Sequence, residues 1–91
     1  MSRSIWKFPI TGIPEEIVAP GLDRPCFVAL QGRTVCVWAE IDEAEPNWKC
    51  VVTVHGTGHP IANDEFYIGT LMDGDFVWHY YTTEVELATS N

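Results

Sequence analysis

Three histidines, three cysteines and one glycine-rich loop are the groups in this 91-residue chain that could do chemistry. His55 and His59 stand four apart, a spacing that suits metal ligands on a helix. Gly56 and Gly58 between them, with Pro60 just after, argue against a helix. A third ligand would have to come through the fold, from Cys50 or His79. No metal site and no cofactor is therefore expected. Cys26, Cys36 and Cys50 lack metal-hairpin and redox-motif spacing. All three lie in apolar segments, where a buried free thiol is the default and a Cys–His nucleophile is not. Asp42, Glu43 and Glu45 read as a solvated acidic loop. No catalytic residue is assigned.

The stretch Gly56-Thr57-Gly58-His59-Pro60 is the most informative local feature. Glycines let the backbone turn sharply and aim successive N–H groups at one point, a concavity suited to anions. Thr57 adds a hydroxyl, His59 a ring donor, and the Thr57–His59 backbone its amides. Two glycines before a proline also describe an ordinary loop, and the spacing matches neither a phosphate-binding loop nor a dinucleotide fingerprint.

Aromatic and basic side chains supply what such a cradle would need around it. Trp6, Trp38, Trp48, Trp78, Tyr67, Tyr80 and Tyr81 are many for a domain this small, and their polar tips need partners. Tyr80 and Tyr81 alternate along one strand, so one of the two must face outward; Tyr80 is taken for the site. Arg3 and Lys7 flank the first strand, Arg24 precedes the second core strand, Arg33 ends a hairpin and Lys49 follows Trp48; of these, Lys7 and Arg33 are taken for the site. The expected ligand-binding set is Thr57, Gly58, His59, Trp6, Lys7, Arg33 and Tyr80. For each of these, core packing or a scattered surface charge is the competing account.

The elements that must position these groups are strands. Turn signals recur about every ten residues, the rhythm of an all-β domain. Ile5–Phe8, Ile17–Ala19, Cys26–Leu30, Thr34–Glu40, Trp48–His55, Glu65–Leu71 and Phe76–Thr82 are the strand candidates. Pro14 and Pro20 mark Ile17–Ala19 as an edge. Gln31-Gly32 and Asp73-Gly74 read as hairpin turns. Trp48, Cys50, Val52 and Val54 share one face; Lys49, Val51, Thr53 and His55 share the other. One helical turn within Ile61–Phe66 is the only helical candidate, and Ile41–Asn47 is read as a loop. The expected architecture is a small antiparallel sandwich or partly open barrel of six to seven short strands. It forms a single β domain over residues 1–91, with a frayed tail from about 84.

The totals agree with a folded binding module. Charged residues make up only 20% of the chain, too few for a disordered acidic segment. A formal net charge of −8 repels nucleic-acid backbones and anionic lipids, so neither duplex nucleic acid nor a membrane is an expected partner. No apolar run spans a bilayer or forms a signal peptide. With free thiols, this makes the cytoplasm the expected compartment. A short chain is only modestly stabilised by burial, and a homo-oligomer would cover surplus aromatic surface.

Trp6-Lys7-Phe8-Pro9-Ile10, Gly56-Thr57-Gly58-His59-Pro60-Ile61 and Tyr67-Ile68-Gly69-Thr70 together resemble a family of short uncharacterised phage and bacterial proteins. The resemblance covers most of the chain. It carries no catalytic residue. It implies the setting of small phage proteins that counter host defence from the host cytoplasm, some by sequestering nucleotide immune signals between subunits. Others block a host complex with an acidic surface.

Two functions are therefore expected to compete. In the first, a non-enzymatic protein sequesters a small anionic ligand such as a cyclic nucleotide, in a homo-oligomer. In the second, the acidic chain is an inhibitor or adaptor that binds a host defence complex through Asp42–Glu45. A metal-assisted hydrolase using His55, His59 and a carboxylate ranks below both.

Overall fold

The computed structural model describes residues 3–88, and among these every regular element is a strand. The strands are β1 (Arg3–Ile10), β2 (Glu15–Pro20), β3 (Phe27–Gln31), β4 (Thr34–Asp42), β5 (Asn47–Gly56), β6 (Glu65–Asp73), β7 (Phe76–Thr83) and β8 (Glu86–Leu87). They form two antiparallel sheets packed as a sandwich, with no closure into a barrel. The first has the order β1-β4-β3. The second has the order β2-β5-β7-β6, with β8 beside β5.

Period-2 alternation dictates which side chains meet between the sheets. Val37, Ala39 and Ile41 of β4 point inward and meet Cys50 and Val52 of β5, Ile17 and Ala19 of β2, and Tyr80 of β7. Burying a side chain the size of Val37 or Val52, both wholly inaccessible, stabilises the fold by roughly 1.5–3 kcal/mol each. Trp48 and Val54 pack against the same cluster, so the β5 face predicted from alternation is the core face.

Both predicted hairpins form, each closed by a glycine at positive φ in the first central position. Gly32 (φ 63°) and Arg33 join β3 to β4, and Gly74 (φ 61°) and Asp75 join β6 to β7. Each turn lies one residue beyond the expected pair, because Gln31 still pairs with Thr34 and Asp73 with Phe76. Arg33 and Asp75 have no positive φ, so both turns follow the glycine-first two-residue pattern whose twist matches the strands.

Several expectations are corrected. Among the described residues there are eight strands, where six to seven were expected. Ile41 is not in a loop: it lies in the core within β4, which runs on to Asp42, because its parity continues that of Val37 and Ala39. Within 61–66 a single turn forms, closed by the Glu65 amide on Ala62 O at 3.3 Å, and it is not part of a helix. The tail is tied down as far as the structure describes it. Leu87 pairs with Trp48, Glu86 with Lys49, and the Ala88 amide donates to Asn47 O at 2.9 Å. The rest of the predicted frayed tail, 89–91, lies outside the described residues. β2 takes the predicted edge position, pairing only with β5.

One irregularity matters for function. Tyr67 pairs with Tyr81 and Gly69 with Tyr80, so β6 spends two residues where β7 spends one. The extra residue, Ile68, turns into the core. Gly69 follows beneath β3, where a Cβ would stand 2.7 Å from Val28 Cγ1. A bulge changes the parity of everything after it. Tyr67 and Thr70, three apart, would face opposite sides of a regular strand. Here both face outward.

Candidate functional site

The outward face of β5, β7 and β6 gathers polar and aromatic side chains. Thr53 and His55 of β5 lie opposite Tyr81 and His79 of β7, which lie opposite Tyr67 and Thr70 of β6. At its upper end the turn after β5 folds over, and a cleft of about 200 Å3 opens between turn and sheet. His55, Thr57, His59, Ile61, His79 and Tyr81 line it. All three histidines of the chain therefore meet at one place.

The turn is built by its glycines. The His59 amide donates to Gly56 O at 3.1 Å, and Gly58 sits at φ 87°. A negative φ at Thr57 followed by a positive φ at Gly58 is the type II arrangement, which favours glycine at that second position. Among the described residues no backbone partner is found for the Gly58 amide.

Two polar networks hold the floor. In the first, Glu65 Oε1 accepts a hydrogen bond from Thr53 Oγ1 and lies 2.8 Å from His55 Nε2, while Oε2 accepts from the Ala62 amide at 2.9 Å. The Glu65 side chain is only 9% exposed. Burial alone would raise its carboxyl pKa, but the bonds from His55, Thr53 and Ala62, with the charge of His55, outweigh burial and hold it at about 2. An ionised Glu65 only accepts hydrogen bonds, so His55 Nε2 carries the hydrogen and Nδ1 is the nitrogen left over. The Tyr81 ring packs edge-on against His55 at 5.4 Å and against Tyr67 at 5.5 Å.

In the second network, His79 lies between two threonines. Its Nε2 is 2.8 Å from Thr57 Oγ1 and its Nδ1 is 2.9 Å from Thr70 Oγ1. Thr70 Oγ1 lies 2.5 Å from the Tyr67 hydroxyl. The bulge at Ile68 makes this last contact geometrically available.

Of the residues expected in the site, Thr57, Gly58 and His59 line the cleft. The amide of His59 is corrected: it closes the turn and is not offered to a ligand. Tyr80 is also corrected. It points into the core, where burial, followed by the charge of Asp73, raises its phenol pKa. Its neighbour Tyr81 is the outward ring. Trp6, Lys7 and Arg33 belong to the other sheet, so the core separates them from the cleft. Trp6 pairs with Ala39 and leans on Phe8. Lys7 donates to Gln31 Oε1 at 2.5 Å. Arg33 stands in the β3–β4 turn.

His55, His79, Tyr81, Glu65, Tyr67 and Thr70 were not in the expected set. Counting back along β7 from the second hairpin separates Tyr81 and His79 from Tyr80 and Trp78 by parity, and an isolated glycine at 69 inside a strand pattern signals a bulge. The pairing of Glu65 with His55 left no local signal.

The cysteines offer the cleft no nucleophile. Cys50 has the parity of Val52 and points into the core, where burial raises its thiol pKa. Cys36 is buried in the other sheet. Cys26 is exposed, contrary to the expectation for all three, because it precedes β3. Among the described residues no three His, Cys, Asp or Glu side chains are placed to hold a metal ion.

A larger groove of about 550 Å3 lies elsewhere, against Asp23, Arg24, Cys26, Glu40 and Phe66. Its polar groups are already engaged. Arg24 stacks on Phe66 at 3.9 Å and reaches Glu84, Asp23 accepts from the Arg24 amide, and Glu40 pairs with Arg3. Two further grooves, of about 390 and 300 Å3, are lined largely by carboxylates such as Glu45, Glu16 and Asp64, whereas the smaller cleft is lined by imidazoles and a hydroxyl.

A family model described as a domain of unknown function (DUF7352) matches residues 1–90. No curated protein matches the chain, and no solved structure does.

Proposed function

The chain belongs to this family of unknown function, and from its own side chains we propose that it is a non-enzymatic binding protein that holds an anionic group in the histidine cleft. The observation that carries this is the convergence of His55, His59, His79, Thr57 and the Gly58 turn on one small concavity. The His59 ring, the Thr57 hydroxyl and the Gly58 amide are donors that recognise oxyanions without a net positive protein, His55 adds one only when its Nδ1 is protonated, and His79 acts through Thr57. The chain's overall charge opposes an anion only weakly at close range, since charges beyond about 8–10 Å are screened at physiological salt.

Size limits the ligand. Sites that enclose a drug-sized molecule measure about 300–1,000 Å3, and this cleft measures about 200 Å3. It accommodates a phosphate or carboxylate with part of what carries it. A whole cyclic nucleotide would need a second copy of the chain to cover it, with Tyr81 and Tyr67 as the stacking surface. The resemblance to phage and bacterial proteins, with Trp6–Pro9 and Gly56–Pro60 as shared motifs, supports nucleotide sequestration against host defence as the biological form of this activity. A thermal-shift and native mass-spectrometry panel of phosphate, carboxylates and cyclic and linear nucleotides tests it. A ligand that raises the melting temperature and adds its mass is expected. No response across the panel counts against this function.

The alternative, an acidic inhibitor of a host complex, is supported by the β4–β5 turn. Asp42 accepts from the Ala44 amide at 3.0 Å and the Glu45 amide bonds back to Asp42 O. Glu43 and Glu45 are thereby exposed on an ordered turn.

A further inference from the structure

We infer that Tyr67 and Thr70, neither of which lines the cleft, fix the hydrogen-bond polarity of Thr57 and thereby make the site selective for an unprotonated oxyanion. The inference rests on the proposed binding function and names the ligand chemistry of that site.

The chain of contacts runs Tyr67 hydroxyl, Thr70 Oγ1, His79 Nδ1, His79 Nε2, Thr57 Oγ1, with separations of 2.5, 2.9 and 2.8 Å. A neutral imidazole has one donor and one acceptor nitrogen, so the chain has two polarities. In one, Tyr67 donates to Thr70, Thr70 donates to His79 Nδ1, and Nε2–H donates to Thr57. The hydrogen of Thr57 is then free to point into the cleft. In the other, every bond is reversed, Thr57 donates to His79, and only a lone pair is left facing the ligand.

The first polarity is favoured by chemistry at the far end. A phenol, with a pKa near 10, is a stronger acid than an aliphatic alcohol, so Tyr67 is the better donor and Thr70 the better acceptor of that pair. Each donor in such a chain strengthens the next. The result is a hydroxyl donor at Thr57, next to Gly58, whose amide has no backbone partner among the described residues; both residues line the cleft. An oxyanion accepts from both. A ligand that offers only donors there meets a donor and is rejected, leaving a polar group unpaired.

Two measurements test this on the full chain. In nitrogen-15 NMR at about pH 8, above the ordinary imidazole range, His79 is expected as the Nε2–H tautomer. Tyr67→Phe keeps the ring that packs on Tyr81 and removes only the hydroxyl, so it should fold. It is expected to move His79 toward Nδ1–H. It should also weaken binding of inorganic phosphate by about five-fold, the equivalent of one ordinary hydrogen bond. Thr57→Val should remove most phosphate binding while leaving Tyr67 bonded to Thr70. An Nδ1–H tautomer in the unaltered protein overturns the inference, as does phosphate binding that Tyr67→Phe leaves unchanged. If the unaltered protein binds no phosphate but shows the Nε2–H tautomer, the polarity stands and the anion-binding function is what fails.

Discussion

His55 Nε2 stands 2.8 Å from Glu65 Oε1 although their strands are not neighbours: β7 lies between β5 and β6. The bridge crosses the outer face of the sheet and ties one side of the cleft to the start of the edge strand. Ala62 and Thr53 bond the same carboxylate, so Glu65 also anchors the loop that returns from the Gly58 turn.

This carboxylate makes stability depend on acid. The folded-state pKa of Glu65, about 2, lies below the ordinary 4.5, so folding favours the ionised form. Its contribution is complete above about pH 4.5 and is lost as the pH falls through about 2. Glu65→Gln should cost about 1–3 kcal/mol at pH 7, and the gap between variant and parent should close near pH 2. Urea unfolding at a series of pH values measures it; a gap that stays constant with pH would show that the charge is not what stabilises.

Gly58→Ala tests the turn. Nothing lies within 4 Å of a Cβ at this position, so the cost is not a clash. The cost is the φ of 87°, about 1–2 kcal/mol for a residue with a side chain. A melting temperature lowered by about 4–16 °C is expected, with phosphate binding weakened as well, because the turn would relax away from the cleft. Unchanged binding would separate the turn from the site.

The bulge has a steric partner. Gly69→Ala would place a methyl 2.7 Å from Val28 Cγ1, and overpacking of this kind costs about 1–3 kcal/mol. In the double variant with Val28→Ala the methyl gains room, so the two changes should cost less together than the sum of each alone. Chemical denaturation of the four proteins in that cycle gives the coupling; strict additivity would contradict the contact.

Thiol reactivity checks the placement of the cysteines. Cys26 is exposed, while Cys36 and Cys50 are buried and free. A colorimetric thiol reagent should therefore titrate one thiol in the native protein and all three in denaturant. Rapid reaction of two or more in the native state would contradict the packing of the two sheets.

Much of the fold was legible because strands write themselves in local patterns. The alternation from Trp48 to Val54 sorted the side chains of β5 into its two faces, and Gly32 and Gly74 marked the two hairpins because few other residues accept a positive φ there. Gly58 and Thr57 were found for the same reason. Tyr81 and His79 were missed where Tyr80 was chosen, since nothing local says which face of β7 is inward until β5 is paired beside it.

What the sequence determined alone was therefore set by backbone geometry within a few residues: the β class, the turns, and the Gly56–His59 loop that roofs the cleft. Only the tertiary structure decided what that loop covers. Pairing β7 between β5 and β6 brought His55 to Glu65. The single extra residue at Ile68 turned Thr70 and Tyr67 to one side. Both depend on register between strands far apart in the chain, and a one-residue shift in register exchanges the two faces of a strand.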